Sequence, residues 1–220
     1  MIGGDVCTRS CKFCNVKTGR PAPLDPAEPE NIANSVKLLG LKHAVITSVD
    51  RDDLADLGAA HWVKVIEAVK RVNPETTMEV LIPDFQGRRE LVQQVIEARP
   101  EVISHNLETV RELSDGVRSR AKYDTSLQVI RQVSESGFVS KSGIMLGLGE
   151  TREQILRTMD DLLAVGCKVM TIGQYLQPSE ANLEVKEYVT PETFQEYERI
   201  GLEKGFRYVE SGPLVRSSYH

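Results

Sequence analysis

The sequence of 220 residues contains no long apolar run and no basic run. Its longest apolar stretches, such as the one near residues 144–148, are far too short to cross a bilayer. Lysines and arginines are spread along a chain of net charge −5, without interleaved aromatic residues, so nucleic acid is not an expected partner. Residues 1–5 lack the charged and apolar regions of a signal peptide, so we expect a cytoplasmic protein and no membrane partner.

Cysteine is also scarce, because the chain has only four, and three of these fall within eight residues. A reducing compartment keeps such thiols from oxidising, which favours metal binding over disulfides. The fourth cysteine, Cys167, follows a segment with helical spacing and precedes an apolar strand. We expect it to be a small buried hydrophobic residue.

Apolar, β-branched segments alternate along the chain with segments of helical spacing. Residues 153–165 are one helical example, with apolar side chains on one face, and Thr151 with Gln154 predicts a capping box at its start. The predicted strands are a short one ending at Val6 and five longer ones at residues 43–50, 77–83, 102–108, 139–149 and 168–177.

Six strands that alternate with helices imply a parallel sheet with right-handed crossovers. A complete eight-fold barrel usually needs about 250 residues. We therefore predict an α/β fold of one domain over residues 1–220, a partial (βα)6 TIM-like barrel. A doubly wound open sheet is the alternative, although no Gly-x-Gly-x-x-Gly fingerprint follows the first strand.

The strongest motif is Cys-Thr-Arg-Ser-Cys-Lys-Phe-Cys, which places Cys7, Cys11 and Cys14 in one loop. Thiolates are the usual protein ligands of iron–sulfur clusters. A cube of four irons needs four ligands, and this loop supplies three, so one iron stays open to a small molecule. An open position is typical of catalytic metal sites. Zinc is the alternative, but zinc motifs usually come as two pairs, and Cys167 is far away in sequence.

Cys-x-x-x-Cys-x-aromatic-Cys after a first strand resembles the signature of radical S-adenosylmethionine (SAM) enzymes. The resemblance implies that the open iron binds the amino and carboxylate groups of SAM, which the reduced [4Fe–4S] cluster cleaves to a 5′-deoxyadenosyl radical. Longer stretches are similar, in register over essentially the whole chain, to the lipoyl synthase family of these enzymes. They are residues 7–16, 45–54, 79–85, 105–109, 141–150, 171–179 and 211–220.

That resemblance implies a sulfurtransferase that inserts two sulfur atoms at C6 and C8 of an octanoyl chain on a lipoyl carrier domain. The implied carriers are a 2-oxoacid dehydrogenase E2 or the glycine-cleavage H protein, and the implied electron donor is flavodoxin or ferredoxin. Another radical SAM sulfur-inserting enzyme and a non-catalytic remnant that binds a cluster or SAM are the alternatives.

The family also holds an auxiliary [4Fe–4S] cluster with three N-terminal cysteines and the first serine of Arg-Ser-Ser-Tyr, which here is Ser217. A hydroxyl is a poor iron ligand beside thiolate and leaves easily when a cluster is dismantled. The upstream cysteines are absent here, so we expect an N-terminally truncated radical SAM core.

Polar residues near the predicted carboxyl ends of strands are candidates for SAM binding, because barrel enzymes build their sites there. The carboxylates of Asp50 and Asp52 could accept hydrogen bonds from the ammonium or ribose of SAM, and Arg51 could pair with an anion. Asn106 and Glu108 are expected on one face of a strand, since side chains alternate. A solvated charged turn is the alternative for the residues at 50–52.

A glycine-rich turn provides the remaining candidates. Gly147 and Gly149, ahead of Glu150, could let the backbone approach the adenine or ribose of SAM. A simple strand-to-helix turn is the alternative interpretation of this segment. Gln174 and Gln177, near the end of the last predicted strand, are weaker candidates for the substrate site.

Overall fold

The computed structural model describes residues 1–217, so Ser218, Tyr219 and His220 of the C-terminal motif lie outside the described residues. The chain divides into two compact units. The first contains Met1–Arg9 and Val16–Ile103, and the second contains Ser10–Asn15 and the chain from Ser104 onward. In residues 1–217, no helix combines the length and apolarity needed to span a membrane.

The first unit alternates strands and helices, and its β3 and β4 pair in parallel from His43 opposite Thr77 to Thr47 opposite Leu81. Its helices bury one apolar face, as Trp62, Val65 and Val69 of α2 do. The elements are β1 (Val6–Cys7), β2 (Lys17–Thr18), α1 (Glu28–Leu39), β3 (His43–Thr47), α2 (Ala59–Val72), β4 (Thr77–Leu81), a 3₁₀ turn (Phe85–Gly87), α3 (Arg89–Glu97) and β5 (Val102–Ser104), whose last residue belongs to the second unit.

The second unit continues the alternation, with β6, β7 and β8 neighbouring each other in chain order and all parallel. Leu146 lies opposite Gln174, and Gly173 opposite Gly212, so the carboxyl ends of the three strands meet at one edge. The elements are α4 (Arg111–Val117), α5 (Tyr123–Glu135), β6 (Val139–Leu146), α6 (Arg152–Ala164), β7 (Val169–Gln174), α7 (Pro191–Lys204) and β8 (Tyr208–Gly212).

Apolar packing forms the core of the second unit, and a capping box fixes the start of α6. Phe194 of α7, Met159 of α6 and Ile172 of β7 are fully buried in one hydrophobic cluster. The predicted capping box is confirmed, because Thr151 accepts from the backbone of Gln154 while the Gln154 side chain accepts from the backbone of Thr151.

The short strand ending near Val6 is not the sixth strand of the main sheet. β1 has two residues and pairs only with β2, in a separate two-stranded ribbon. The sixth strand is β8, which was not among the predicted strands. The reason is physical, since only Val209 of β8 is buried and the strand lacks an apolar run. The predicted number of six strands is correct, but their assignment is wrong at both ends of the chain.

The predicted strand at residues 102–108 ends earlier, at Ser104. Asn106 and Glu108 therefore lie beyond β5, and the expectation that they share a strand face is wrong. Glu108 still forms an isolated parallel bridge with Ile144, and its φ of 68° turns the backbone into the left-handed region. Pairing with β6 thus resumes at Glu108, beyond the end of the regular strand.

Candidate active site

The three-cysteine loop crosses the boundary between the units, with Cys7 in the first and Cys11 and Cys14 in the second. All three cysteines are half-buried and outside any disulfide.

Cys7 ends β1, and its sulfur receives two backbone hydrogen bonds. The amide of Asp50 donates to Sγ at 3.3 Å, and the amide of Arg9 donates at 3.4 Å. The thiol lies 3.8 Å from Asp50 Oδ2, to which it donates when protonated. Backbone N–H donors stabilise negative charge on sulfur, so this environment favours a thiolate ligand.

Arg9 follows Cys7 by two residues, and its guanidinium is buried among three carboxylates. It forms a bidentate pair with Asp52, with both distances 2.8 Å, a 2.8 Å bond to Asp84 and a 3.3 Å ion pair with Asp50. Burial alone would lower the pKa of Arg9, but the hydrogen bonds and charges of these carboxylates outweigh burial and raise that pKa. Arg9 is therefore a permanent cation at this position.

The second unit holds the other end of the loop through its backbone. The amide of Ser10 donates to Ser119 Oγ at 3.1 Å, and the amide of Lys12 donates to the carbonyl of Val117 at 2.9 Å. Ser119 Oγ also lies 3.6 Å from Cys11 Sγ. Residues 117–119, at the carboxyl end of α4, thus support the Cys11 side of the loop.

Asn182 supports the same loop from the segment between β7 and α7. Its Nδ2 donates to the carbonyls of Lys12 and Cys14, both at 3.1 Å, and Ser179 Oγ donates to its Oδ1 at 2.7 Å. The amide of Leu183 adds a third bond, to Lys12 O at 3.1 Å. Asn182 was not among the predicted site residues, since an asparagine in a loop 168 residues from Cys14 carries no local signal of this contact.

An aromatic contact completes the support of the loop within the second unit. Phe13 packs against a small apolar cluster formed by Val117, Leu148 and Tyr175. The Tyr175 hydroxyl is itself anchored, because it donates to the carbonyl of Leu183 at 2.7 Å. The aromatic position of the motif thus has a packing role in addition to any contact with a ligand.

The donor set of the loop fits an iron–sulfur cluster. Its three thiols are the softest ligands available, and thiolates select such clusters. Within residues 1–217, no three His, Cys, Asp or Glu side chains converge on a point that could hold one metal ion. A cluster does not need such convergence, because each cysteine binds a different iron.

Arg51 has partners that differ from the predicted anion. Its guanidinium makes a bidentate pair with Asp53, with both distances 2.9 Å, and donates to the carbonyls of Gly3 and Ala22 at 3.0 Å. The hydrogen bonds to Asp53 raise the pKa of Arg51 against the opposing effect of burial. These bonds favour a structural role for Arg51 over the predicted pairing with SAM.

The predicted pair in the second unit, Asn106 and Glu108, lies together beyond β5. Burial raises the pKa of the half-buried Glu108 carboxyl, opposed by the positive charge of Arg118 and a hydrogen bond with Asn106. Arg118 in turn donates to Ser126 Oγ at 2.8 Å. A non-glycine residue with positive φ and a desolvated carboxyl is typical of functional sites, so the two residues stay candidates for ligand binding.

The glycine-rich turn after β6 is stabilised from within. Glu150 accepts from the amides of Gly147 at 2.6 Å and Leu148 at 3.0 Å. A Cβ at position 147, where φ is 99°, would overlap Gln174 Nε2 and Glu187 O. Gly149 has open space around it, since only Lys186 Cγ lies near a Cβ there, at 3.8 Å. The turn interpretation therefore accounts for Gly147 and Glu150, and Gly149 keeps room for a ligand.

Ser217 is half-buried in the segment after β8. That segment passes close to β7, since a Cβ at Gly173 would overlap the carbonyl of Val215.

Cys167 is buried as expected, with 1% exposed, and burial raises the pKa of its thiol to about 12. Cys167 is therefore a packing residue and not a ligand.

Comparison with known proteins assigns the class. A family model described as the radical SAM superfamily matches residues 1–162. Methylornithine synthase has a similar structure, with a TM-score of 0.68 at 16% identity over 86% of this chain and 55% of that one. Streptococcus suis SuiB bound to S-adenosylmethionine has a TM-score of 0.74 at 13% identity over 95% and 48%. The chain is a radical SAM protein, and its predicted fold class is confirmed.

Sequence relatives indicate the family within the radical SAM superfamily to which the chain belongs. Lipoyl synthase of Treponema denticola is 71% identical over 220 residues, which are all of this chain and 76% of the relative. Lipoyl synthase of Phocaeicola vulgatus is 66% identical over all of this chain and 78% of the relative. The chain belongs to the lipoyl synthase family of the radical SAM superfamily.

Proposed function

We propose that this chain catalyses the family's reaction, the insertion of two sulfur atoms at C6 and C8 of a protein-bound octanoyl group. The observation that carries the proposal is the three-cysteine loop, whose residues are hydrogen-bonded to the protein on both sides of the motif. The identity of 64–71% with lipoyl synthases over the whole chain supports it.

The cofactors of the radical SAM superfamily are a [4Fe–4S] cluster and SAM, which together supply the radical that abstracts hydrogen from the octanoyl chain. In our proposal, Cys7, Cys11 and Cys14 hold three irons and leave the fourth for SAM. The amides of Arg9 and Asp50 stabilise charge on the Cys7 sulfur.

The residues proposed to contact SAM are Asn106, Glu108 and Gly149. Asn106 and Glu108 lie beyond the carboxyl end of β5, where barrel enzymes bind ligands. Burial raises the pKa of the Glu108 carboxyl, and a hydrogen bond joins that carboxyl to Asn106. The earlier candidates Asp50, Arg51, Asp52, Gly147 and Glu150 make protein contacts that explain their presence without a ligand.

An auxiliary [4Fe–4S] cluster is proposed with Ser217 as one ligand, which would leave as the cluster gives up its sulfur. The cysteines of these 220 residues are the three of the loop and the buried Cys167. The thiolates of an auxiliary cluster would therefore come from outside these residues.

The octanoylated substrate is carried by a lipoyl carrier domain. We propose the E2 subunit of a 2-oxoacid dehydrogenase or the glycine-cleavage H protein as carrier, and flavodoxin or ferredoxin as electron donor. The cytoplasmic location stays a prediction.

The proposal is tested by anaerobic reconstitution with iron and sulfide. We expect brown, oxygen-sensitive protein with about four irons per chain and an electron paramagnetic resonance (EPR) signal that changes on addition of SAM. Alanine at Cys7, Cys11 or Cys14 should abolish that signal, whereas alanine at the buried Cys167 should preserve it. Colourless protein that binds only zinc would refute the cluster.

The reaction itself is tested with two substrates. Reduced protein should form 5′-deoxyadenosine in the presence of an octanoylated carrier and not with dethiobiotin. Formation with dethiobiotin alone would assign the chain to another class of sulfur insertion. No 5′-deoxyadenosine with either substrate would indicate a binding remnant.

A further inference from the structure

Arg9 lies between two cluster cysteines in the sequence, but its side chain is buried in the first unit, with 6% of the residue exposed. Each of its three guanidinium nitrogens faces a carboxylate oxygen. Nε binds Asp52 at 2.8 Å, Nη2 binds Asp52 and Asp84 at 2.8 Å, and Nη1 lies 3.3 Å from Asp50. A planar guanidinium can satisfy this geometry, and a single ammonium cannot.

The carboxylates come from segments that follow two neighbouring strands. Asp50 and Asp52 follow β3, and Asp84 follows β4. Gln86 connects the same two segments, since its side-chain Nε2 donates to Asp52 at 2.9 Å and its backbone amide donates to Asp84 at 3.0 Å. Three carboxylates with one arginine carry an excess of negative charge, so Arg9 is the cation that holds these two segments together.

The same contacts fix the hydrogen-bond donors of the Cys7 sulfur. Thr8, directly after β1, joins the cysteine loop to residues 50–52. Its backbone amide donates to the carbonyl of Asp50 at 3.1 Å, and its hydroxyl donates to the same carbonyl at 2.9 Å. The Thr8 hydroxyl also accepts from the backbone amide of Asp52 at 3.0 Å. The two amides that donate to Cys7 Sγ are those of Asp50 and Arg9 themselves. Arg9 carries one of these donor amides and pairs with the residue that carries the other, so we expect loss of its side-chain contacts to shift both donors.

We propose that Arg9 is a positioning residue that sets the reduction potential of the cluster through the two amide donors on Cys7. This inference rests on the proposed function, because it requires the cluster. Reduction adds an electron, and donors to a cysteine sulfur stabilise the extra negative charge, so well-placed amides raise the reduction potential. Loss of the Arg9 contacts should lower it.

The experiment compares the unaltered chain with Arg9→Lys, Arg9→Gln and Asp84→Asn, all reconstituted anaerobically. Arg20→Gln, which changes an exposed arginine, is the matched control. The midpoint potential is measured by redox titration followed by EPR, and iron loss is measured with a ferrous chelator. We expect the midpoint to become more negative in Arg9→Lys and further in Arg9→Gln, with iron loss about tenfold faster.

Two variants protect the test from a failure to fold. Arg9→Lys keeps the charge among the three carboxylates. Asp84→Asn removes one partner of Arg9 together with one negative charge, and the loss of that charge by itself raises the midpoint potential. A midpoint that still falls in Asp84→Asn would therefore come from the displaced donors. A midpoint that is unchanged in Arg9→Lys and does not fall in Asp84→Asn, even with reduced thermal stability, would limit Arg9 to folding and overturn the inference. Absence of a cluster signal from the unaltered chain would instead reject the proposed function.

Discussion

Among single residues, the charged side chains after β3 show how one local pattern serves several purposes. Asp50-Arg51-Asp52-Asp53 is compatible with a ligand site and with a solvated turn. The structure instead pairs Arg51 with Asp53 and Asp52 with Arg9, and neither Arg51 nor Asp52 is exposed. The burial of Arg9, Arg51 and the Asp52 side chain, which sequence cannot show, favours a scaffold for Cys7.

Glu108 leads to a prediction about pH and stability. Its pKa in the folded chain is raised above the ordinary 4.5, so the folded chain keeps the proton at pH values where the unfolded chain has released it. The protonated carboxyl therefore contributes stability to the fold, and the unaltered protein loses that stability as the pH rises above 4.5. Glu108→Gln has no such ionisation and no such loss. Urea unfolding of cluster-free protein should show Glu108→Gln gaining stability relative to the unaltered chain as the pH is raised from 4.5.

The control is Glu67→Gln, at an exposed carboxylate of α2. Its effect on the unfolding free energy should lack the rise expected for Glu108→Gln over this range. If Glu108→Gln instead lost stability relative to the unaltered chain as the pH increased, the folded chain would favour the charged form of Glu108, held by Arg118.

At the scale of elements, Asn182 connects the loop between β7 and α7 to the cysteine loop. We therefore predict that changes at Asn182 weaken the binding of the cluster. Asn182→Leu removes two donors to the backbone of the cysteine loop, and Asn182→Asp places a carboxylate against two carbonyl oxygens. Both variants should release iron to a chelator about tenfold faster, with Asn182→Asp the faster of the two.

Asn34→Asp, on the exposed side of α1, makes the same chemical change away from the loop and should match the unaltered chain. Ser179→Ala removes the bond that orients the Asn182 amide and should give a smaller effect in the same direction. Equal iron release from Asn182→Asp and Asn34→Asp would remove Asn182 from the support of the loop.

The turn after β6 leads to a prediction about backbone space. Gly147→Ala combines a left-handed backbone with overlap against Gln174 and Glu187, and should cost about 3 kcal/mol of unfolding free energy. Gly40→Ala has a similar backbone requirement with nothing within 4 Å, and should cost about 1 kcal/mol. Thermal unfolding of the two variants gives the difference, and equal costs would show that the turn adjusts to the extra methyl group.

For the whole molecule, the cysteine loop and the apolar cores are separable. The cysteines of the loop are half-buried, and none belongs to the hydrophobic cluster that contains Phe194 and Met159. A chain with alanine at Cys7, Cys11 and Cys14 should therefore fold, with a melting temperature within about 4 °C of the cluster-free unaltered chain. Circular dichroism on heating provides the measurement, and a chain that fails to fold would show that the loop thiols are needed for structure.

The sequence by itself determined the strand–helix alternation, the capping box at Thr151 and the spacing of Cys7, Cys11 and Cys14, because each depends on residues that are near one another along the chain. Only the tertiary structure decided that Asn182 supports the loop at Cys14, that Arg9 gathers Asp50, Asp52 and Asp84, and that β8 replaces the first strand in the main sheet. These contacts join residues far apart in sequence, and their formation depends on which strand ends the folded chain brings together.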